Sequence, residues 1–296
     1  MQKETVMWSC QHGDGADIEG DQEALVGPGR RPFGIAVVGG PTAVIDIAGT
    51  RIVTDPTLDP PTDYGYLRKL AGPAVGAQAL GQVDIVLLSH DLHPDNFDHA
   101  GRAFAMSRPL ILTPPTAAGR LGAPARPLAA WETWTSDDGR LTVTAVPARH
   151  GPADGELGED GFVNSEVTGF VLDAPGVPRT YVSGDNASVE IVREIRERLG
   201  PVECAVLHAG AASVPAKFGG RPLSLTAERA AAAAEVLGSQ HIVVVHQDGW
   251  SHFREGPERT KAAFESAGTL RRLCAAPAAH WCVPAGDGAG FPDAAR

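Results

Sequence analysis

Little in this 296-residue chain supports a cysteine-built scaffold. Its four cysteines, Cys10, Cys204, Cys274 and Cys282, include no CxxC pair, which argues against a structural zinc cluster and against a disulfide framework. Cys204 lies in the apolar run Glu203–Leu207 and reads as a small buried thiol. No apolar run approaches the roughly 20 residues needed to cross a bilayer. The first residues, Met1–Trp8, lack the apolar core of a secretory signal, so the expected location is the cytoplasm. Basic residues are also in short supply. A formal charge of -11 argues against nonspecific binding to nucleic acid or to anionic membranes, which leaves a small molecule as the expected partner. No internal repeat is visible, and no appended domain for a polymer stands out. The oligomeric state is not legible.

The most informative stretch is Ser89-His90-Asp91-Leu92-His93-Pro94-Asp95-Asn96-Phe97-Asp98-His99. It places three histidines and three carboxylates in eleven residues, directly after the strand-like run Val83–Leu88. Imidazoles and carboxylates so spaced can converge on one or two divalent cations, and a loop leaving a strand end is where a rigid scaffold can aim them. Partners recur downstream at further strand ends. His150 follows the strand-like Leu141–Val146, Asp185 follows Thr180–Val182, and His246 follows His241–Val245. Several strand ends, each followed by a His or Asp, are much harder to obtain by chance than one histidine cluster.

On these residues the chain resembles the metallo-β-lactamase superfamily of metal-dependent hydrolases, in particular bacterial members similar to the ascorbate-phosphate lactonases. The resemblance runs from about Gly34 to Glu255. It includes Val38–Ile47, Thr54–Pro60, Thr168–Leu172 and the segment Gly249–Phe253 that follows His246. It implies an α/β fold, an αββα sandwich of two mixed β-sheets with helices on both outer faces. It also implies one metal held by His93 and His150 with either His90 or Asp91, and a second held by Asp95 and His246 with Asn96 assisting. Asp185 would lie between them. Spacing leaves His90 and Asp91 as alternatives, because the superfamily pattern His-x-His-x-Asp-His fits in two registers. Asn96 departs from that pattern, since a neutral amide oxygen is a weaker zinc ligand than an imidazole nitrogen.

The implied activity is hydrolysis by a metal-bound hydroxide of a small polar substrate, a lactone or other ester first, with phosphodiester cleavage as an alternative. One or two divalent ions are expected, zinc first and manganese or iron after it. Asp95 and His252 are the candidates for managing the proton, although His252 is equally well read as a packing residue. A rival reading is a degenerate member that binds a ligand or regulates without hydrolysing.

Other polar residues invite plainer readings. His99 is expected to be solvated or to support the site from behind. His208 either reaches the site or hydrogen bonds structurally, and His12 and His280 default to the surface. Lys217 and Arg221, in a Gly-rich loop, could gather an anionic substrate or simply be solvated. The chain is expected to divide into a loose extension, residues 1–32, and a single domain, residues 33–296. Strands are expected near Ile35–Val38, Ala43–Ile47, Arg51–Thr54 and Asp84–Leu88, and later near Leu141, Val167, Thr180, Glu203 and His241. Helices are expected at Tyr66–Leu70, from about Phe97, at Ala187–Leu199 and at Leu225–Leu237. The acidic, Gly-rich Gly151–Gly161 reads as a mobile loop at the rim of the site.

Overall fold

Apolar residues alternate so strictly along the strands that each strand feeds two cores. Along Thr42–Ile47, Ala43, Ile45 and Ile47 enter one core and Val44 enters another. Along Cys204–His208, Cys204 and Val206 join the core that holds Ile45, while Ala205 and Leu207 join a third. A period of two with both faces apolar means sheets covered on both sides. The central core lies between two sheets, and each sheet has an outer core of its own.

The computed structural model describes Trp8–Cys10 and residues 30–284. The first sheet begins with β1 (Trp8–Cys10), β2 (Phe33–Gly39), β3 (Thr42–Ile47) and β4 (Thr50–Thr54). A short ribbon follows, β5 (Thr62–Asp63) and β6 (Arg68–Lys69), before β7 (Ile85–Leu87), β8 (Leu110–Thr113) and β9 (Ala125–Pro127). The second sheet comprises β10 (Thr133–Thr135), β11 (Thr142–Pro147), β12 (Thr168–Asp173), β13 (Thr180–Val182), β14 (Cys204–His208) and β15 (His241–Val245). The last described strand, β16 (Trp281–Pro284), returns to the first sheet, whose order is β1-β16-β2-β3-β4-β7-β8-β9; the second runs β10 to β15 in sequence.

Each sheet starts antiparallel and turns parallel. The change falls after β4 in the first sheet and after β13 in the second. Parallel strands need crossovers, and helices supply them. Helices α1 (His99–Met106) and α2 (Pro115–Leu121) bury Phe104, Ala105 and Leu121 on the outside of the first sheet. Helices α3 (Val189–Leu199), α4 (Ala227–Leu237) and α5 (Pro257–Ser266) bury Val192, Ile195, Ala230, Ala234 and Phe264 on the outside of the second. The expected αββα sandwich of two mixed sheets is the fold the chain adopts. Ser188 and Thr226 cap α3 and α4 by accepting the Ile191 and Arg229 amides, so both helices start just inside their expected bounds. No helix among the described residues is long and apolar enough to cross a membrane.

Two expectations need correction. Tyr66–Leu70 is not helical, because Arg68–Lys69 pairs with Thr62–Asp63, and Leu70 N and Ser251 N bond to Gly249 O and Arg68 O across the gap to the loop after β15. The tertiary partners of this extended segment outweigh a short run of helix-forming residues. Cys274 and Cys282 are bonded to each other despite their unremarkable spacing, because the turn after α5 brings them together on entry to β16. The expectation for residues 1–32 lies outside the described residues apart from Trp8–Cys10, which pairs with Trp281–Pro284, and Arg30–Pro32.

The segment between β4 and α1 is held from beneath by one carboxylate. Asp98 caps α1 through Gly101 N (2.7 Å), accepts Leu58 N (2.9 Å) and Asp59 N (2.8 Å), and receives Lys69 Nζ at 2.8 Å. The two side chains are 0% and 3% exposed. Removing one partner of a buried pair strands the other charge, at a cost of about 3–5 kcal/mol. Asp98→Ala is therefore expected to lower the unfolding free energy by about that amount. Urea denaturation checks it, and a loss below 1 kcal/mol, roughly that of an exposed pair, would contradict the role assigned to Asp98.

Candidate metal centre

The ends of six strands converge at one edge of the sandwich, and each delivers a polar residue there: Asp55 after β4, His90 after β7, His150 after β11, Asp185 after β13, His208 at the end of β14 and His246 after β15. All of them are buried. Two close backbone approaches make this possible. A Cβ at Gly210 would stand 2.0 Å from His246 O, and one at Gly184, where φ is +54°, would stand 2.8 Å from Ser89 Cβ. Glycine lets the chain pass at both places.

The first set is His90, His93 and His150. His93 Nδ1 faces His90 Nε2 at 2.9 Å and His150 Nε2 at 3.1 Å. The far nitrogens are engaged, His90 Nδ1 by Ser89 Oγ (3.0 Å) and His150 Nδ1 by the Leu223 carbonyl (2.8 Å). That carbonyl can only accept, so His150 carries its proton on Nδ1 and turns a lone pair inward. Burial pushes all three rings below the ordinary imidazole range, and their mutual repulsion adds to it for His90 and His150; His93 falls to about 4, with Asp95 opposing and Lys217 assisting the fall. Three neutral imidazoles with nitrogens converging on one point suit a cation better than they suit one another.

The second set is Asp95, Asp185 and His246. His246 Nε2 lies 3.3 Å from Asp95 Oδ2 and 3.4 Å from Asp185 Oδ1, while the other Asp185 oxygen lies 3.6 Å from His150 Nε2. Asp185 thus reaches a member of each set. Both of its oxygens and both His246 nitrogens are buried without a hydrogen-bond partner. Orphaned buried acceptors cost about 1–3 kcal/mol each, so the donor set fits a divalent ion. Burial, reinforced by Asp95 and Asp55, holds the Asp185 carboxyl well above the usual range. Burial would raise Asp95 as well, but His252 and His246 hold it well below.

The remaining candidates divide clearly. Asp91 does not reach either set; it turns away into an ion pair with Arg120 at 2.5 Å, which leaves His90 at the position the two had contested. Asn96 is buried beside the second set, donating to Asp55 Oδ2 and Ser89 Oγ at 3.3 Å each, and its amide oxygen has no partner. His252 places Nε2 2.9 Å from Asp95 Oδ2 and lines the pocket over the site. His208 bonds Asp55 Oδ2 at 3.1 Å and Ser183 Oγ at 3.3 Å, a supporting role behind the centre. His99 is exposed, beside Asp59, and His280 is partly exposed, bonded to the Ala278 carbonyl at 3.1 Å. His12 lies outside the described residues.

Lys217 enters the pocket, 3.2 Å from His93 Nε2 and 2.5 Å from Asn164 Oδ1, and burial lowers its pKa against the pull of Asp95. Arg221 instead pairs with Asp154 and Glu156, tying down the acidic loop, which has no regular structure beyond a 3₁₀ turn at Glu159–Gly161.

Sequence reasoning passed over Asp55 as a site residue. It accepts Ser89 N at 2.7 Å and so fixes the start of the His90 loop. The signal was there, an aspartate directly after a strand, the same one that marked Asp185. Asn164 carried no such signal, because it sits in an irregular segment that only the fold brings to the pocket.

Gly184→Ala is expected to lower the divalent metal bound per folded chain, since its methyl meets the loop that carries His90. Elemental analysis of the purified variant checks this, and full metal content would show that the loop can yield without moving His90.

Known proteins are in accord with this fold. A family profile described as the beta-lactamase superfamily domain matches residues 50–247. A metal-dependent hydrolase from Methanoculleus marisnigri is 28% identical over 231 residues, 77% of this chain and 88% of that protein. Among solved structures, a possible metal-dependent hydrolase from Veillonella parvula has a TM-score of 0.73 at 16% identity, covering 85% of this chain and 99% of its own. The isothiocyanate hydrolase from Delia radicum gut bacteria has a TM-score of 0.70 at 23% identity, with 83% and 97% covered. At such identities the two structures speak for the fold alone. The profile takes in every residue of both candidate ligand sets, from His90 to His246, and the chain belongs to the metallo-β-lactamase superfamily of metal-dependent hydrolases.

Proposed function

We propose that this hydrolase acts on a small polar lactone or other ester with two divalent ions, zinc first, held by His90, His93 and His150 and by Asp95, Asp185 and His246. The observation that carries the reading is Asp185, whose two orphaned carboxylate oxygens face one set each. Bound ions supply Lewis-acid polarisation of the scissile group and a lowered pKa for water at the site. Mixed imidazole and carboxylate ligation suits zinc, with manganese and iron as alternatives.

The chain's own residues supply the rest. The pocket over the site is lined by Tyr66, Leu67, Asn164, Lys217 and Leu223 beside His93, Asp95, His150 and His252. Leu67, Leu223, Ala212 and Val214 form its apolar wall. Asp95 accepts from His252 Nε2, so His252 would take a proton from the attacking water at Nδ1 and pass it to the departing oxygen. The resemblance to the ascorbate-phosphate lactonases puts lactones first in a substrate screen. The isothiocyanate hydrolase of similar fold adds isothiocyanates to it, alongside esters and phosphoesters.

Elemental analysis of unchelated protein is expected to find about two divalent ions per chain, by analogy with paired metal sites. Chelation should abolish hydrolysis and metal addition restore it. Asp185→Ala should reduce kcat/KM by more than about a hundredfold. No bound metal, even after its addition, would overturn the hydrolase reading in favour of a ligand-binding protein. His252→Ala is expected to lower kcat by about 10²–10⁴ while metal content stays at the wild-type level. An unchanged kcat would assign His252 to packing.

A further inference from the structure

We infer that Lys217 and Asn164 form a subsite for a carboxylate carried by the substrate, so that the hydrolysed lactone or ester is an anion; this rests on the hydrolase reading above. The two residues come from different loops and meet at the pocket wall, with Lys217 Nζ 2.5 Å from Asn164 Oδ1. That contact sets the amide orientation, because the opposite one would bring two donors together. It leaves Asn164 Nδ2, on a residue 7% exposed, as a buried donor without a partner beside the pocket.

Lys217 is not fully satisfied by its other neighbour. Where His93 Nδ1 serves a bound ion beside His90 and His150, its neutral ring carries the proton on Nε2, the atom 3.2 Å from Lys217 Nζ. In that state two donors face each other, and an acceptor beside them satisfies both. Among the described residues no carboxylate lies within ion-pair distance of Lys217. An ammonium and an amide NH₂ side by side match the two oxygens of one carboxylate, with the charge-assisted bond supplying most of the energy.

The subsite is preorganised. Phe162 and Phe218, neighbours of the two residues, have ring centroids 5.8 Å apart, and Arg221 pairs with Asp154 and Glu156 across the same two loops. Little ordering remains to be done when ligand arrives.

The test compares the γ-lactone of hydroxyglutarate with the same lactone whose carboxylate is converted to an amide, on the metal-loaded full chain. Wild type should favour the acid in kcat/KM. Lys217→Met should lower that acid-to-amide ratio about ten- to a hundredfold, the range for losing a hydrogen bond to a charged group. Asn164→Ala should lower the ratio as well, and Lys217→Arg should keep most of it, which a merely structural role would not produce. A ratio unchanged in Lys217→Met and in Asn164→Ala overturns the subsite even with hydrolysis intact. If neither lactone is hydrolysed, calorimetric titration with glutarate decides separately. Binding weakened about tenfold or more by Lys217→Met supports the subsite while the hydrolase reading fails. Equal binding to both proteins, or none to wild type, overturns it.

Discussion

The packing of Asp95, Asp185, His90, His93, His150 and His246 into one buried cluster is the constraint around which the molecule is arranged. Buried carboxylates and imidazoles in such proximity are poorly satisfied by one another. Both Asp185 oxygens lack partners, and its carboxyl is forced well above its usual range by burial and by the neighbouring Asp95 and Asp55. Positive charge from divalent ions reverses those penalties. Two sheets and their outer helices hold the arrangement in place.

Rigidity comes from the way the strands are ordered. Each sheet changes from antiparallel to parallel pairing partway across, so the strands that leave ligands behind end together. Behind the ligands lies a second layer of hydrogen bonds. Asp55 joins Ser89 N, Asn96 and His208, and the Leu223 carbonyl fixes the His150 ring. Such partners set which nitrogen each imidazole offers, and the identity of the ligands alone does not. The loops over the opening are held by other means, Lys217 to Asn164 and Arg221 to the acidic stretch, so the pocket wall is built by side chains of low regularity on a regular base.

Periodicity made the layers legible in advance. The strands at Ala43–Ile47 and His241–Val245 and the helices ending at Leu199 and Leu237 lie close to where the pattern of apolar residues puts them. Tyr66–Leu70 departs from its helical pattern because its backbone partners, Gly249 and Thr62–Asp63, are distant or non-helical. The bond between Cys274 and Cys282 had no spacing signature for the same reason.

The sequence by itself determined which side chains could carry the chemistry. A histidine or aspartate after an apolar strand is a local pattern, and His93, Asp95, His150, Asp185 and His246 all show it. Choosing between His90 and Asp91 required the tertiary structure, because adjacent residues on a loop point in different directions and only Arg120, far along the chain, draws Asp91 away. Asp98, read within the metal motif, became a helix cap and the partner of Lys69 for the same kind of reason. The pairing of Lys217 with Asn164 depends on two irregular loops meeting. No repeating pattern encodes such a meeting, so it was decided by packing.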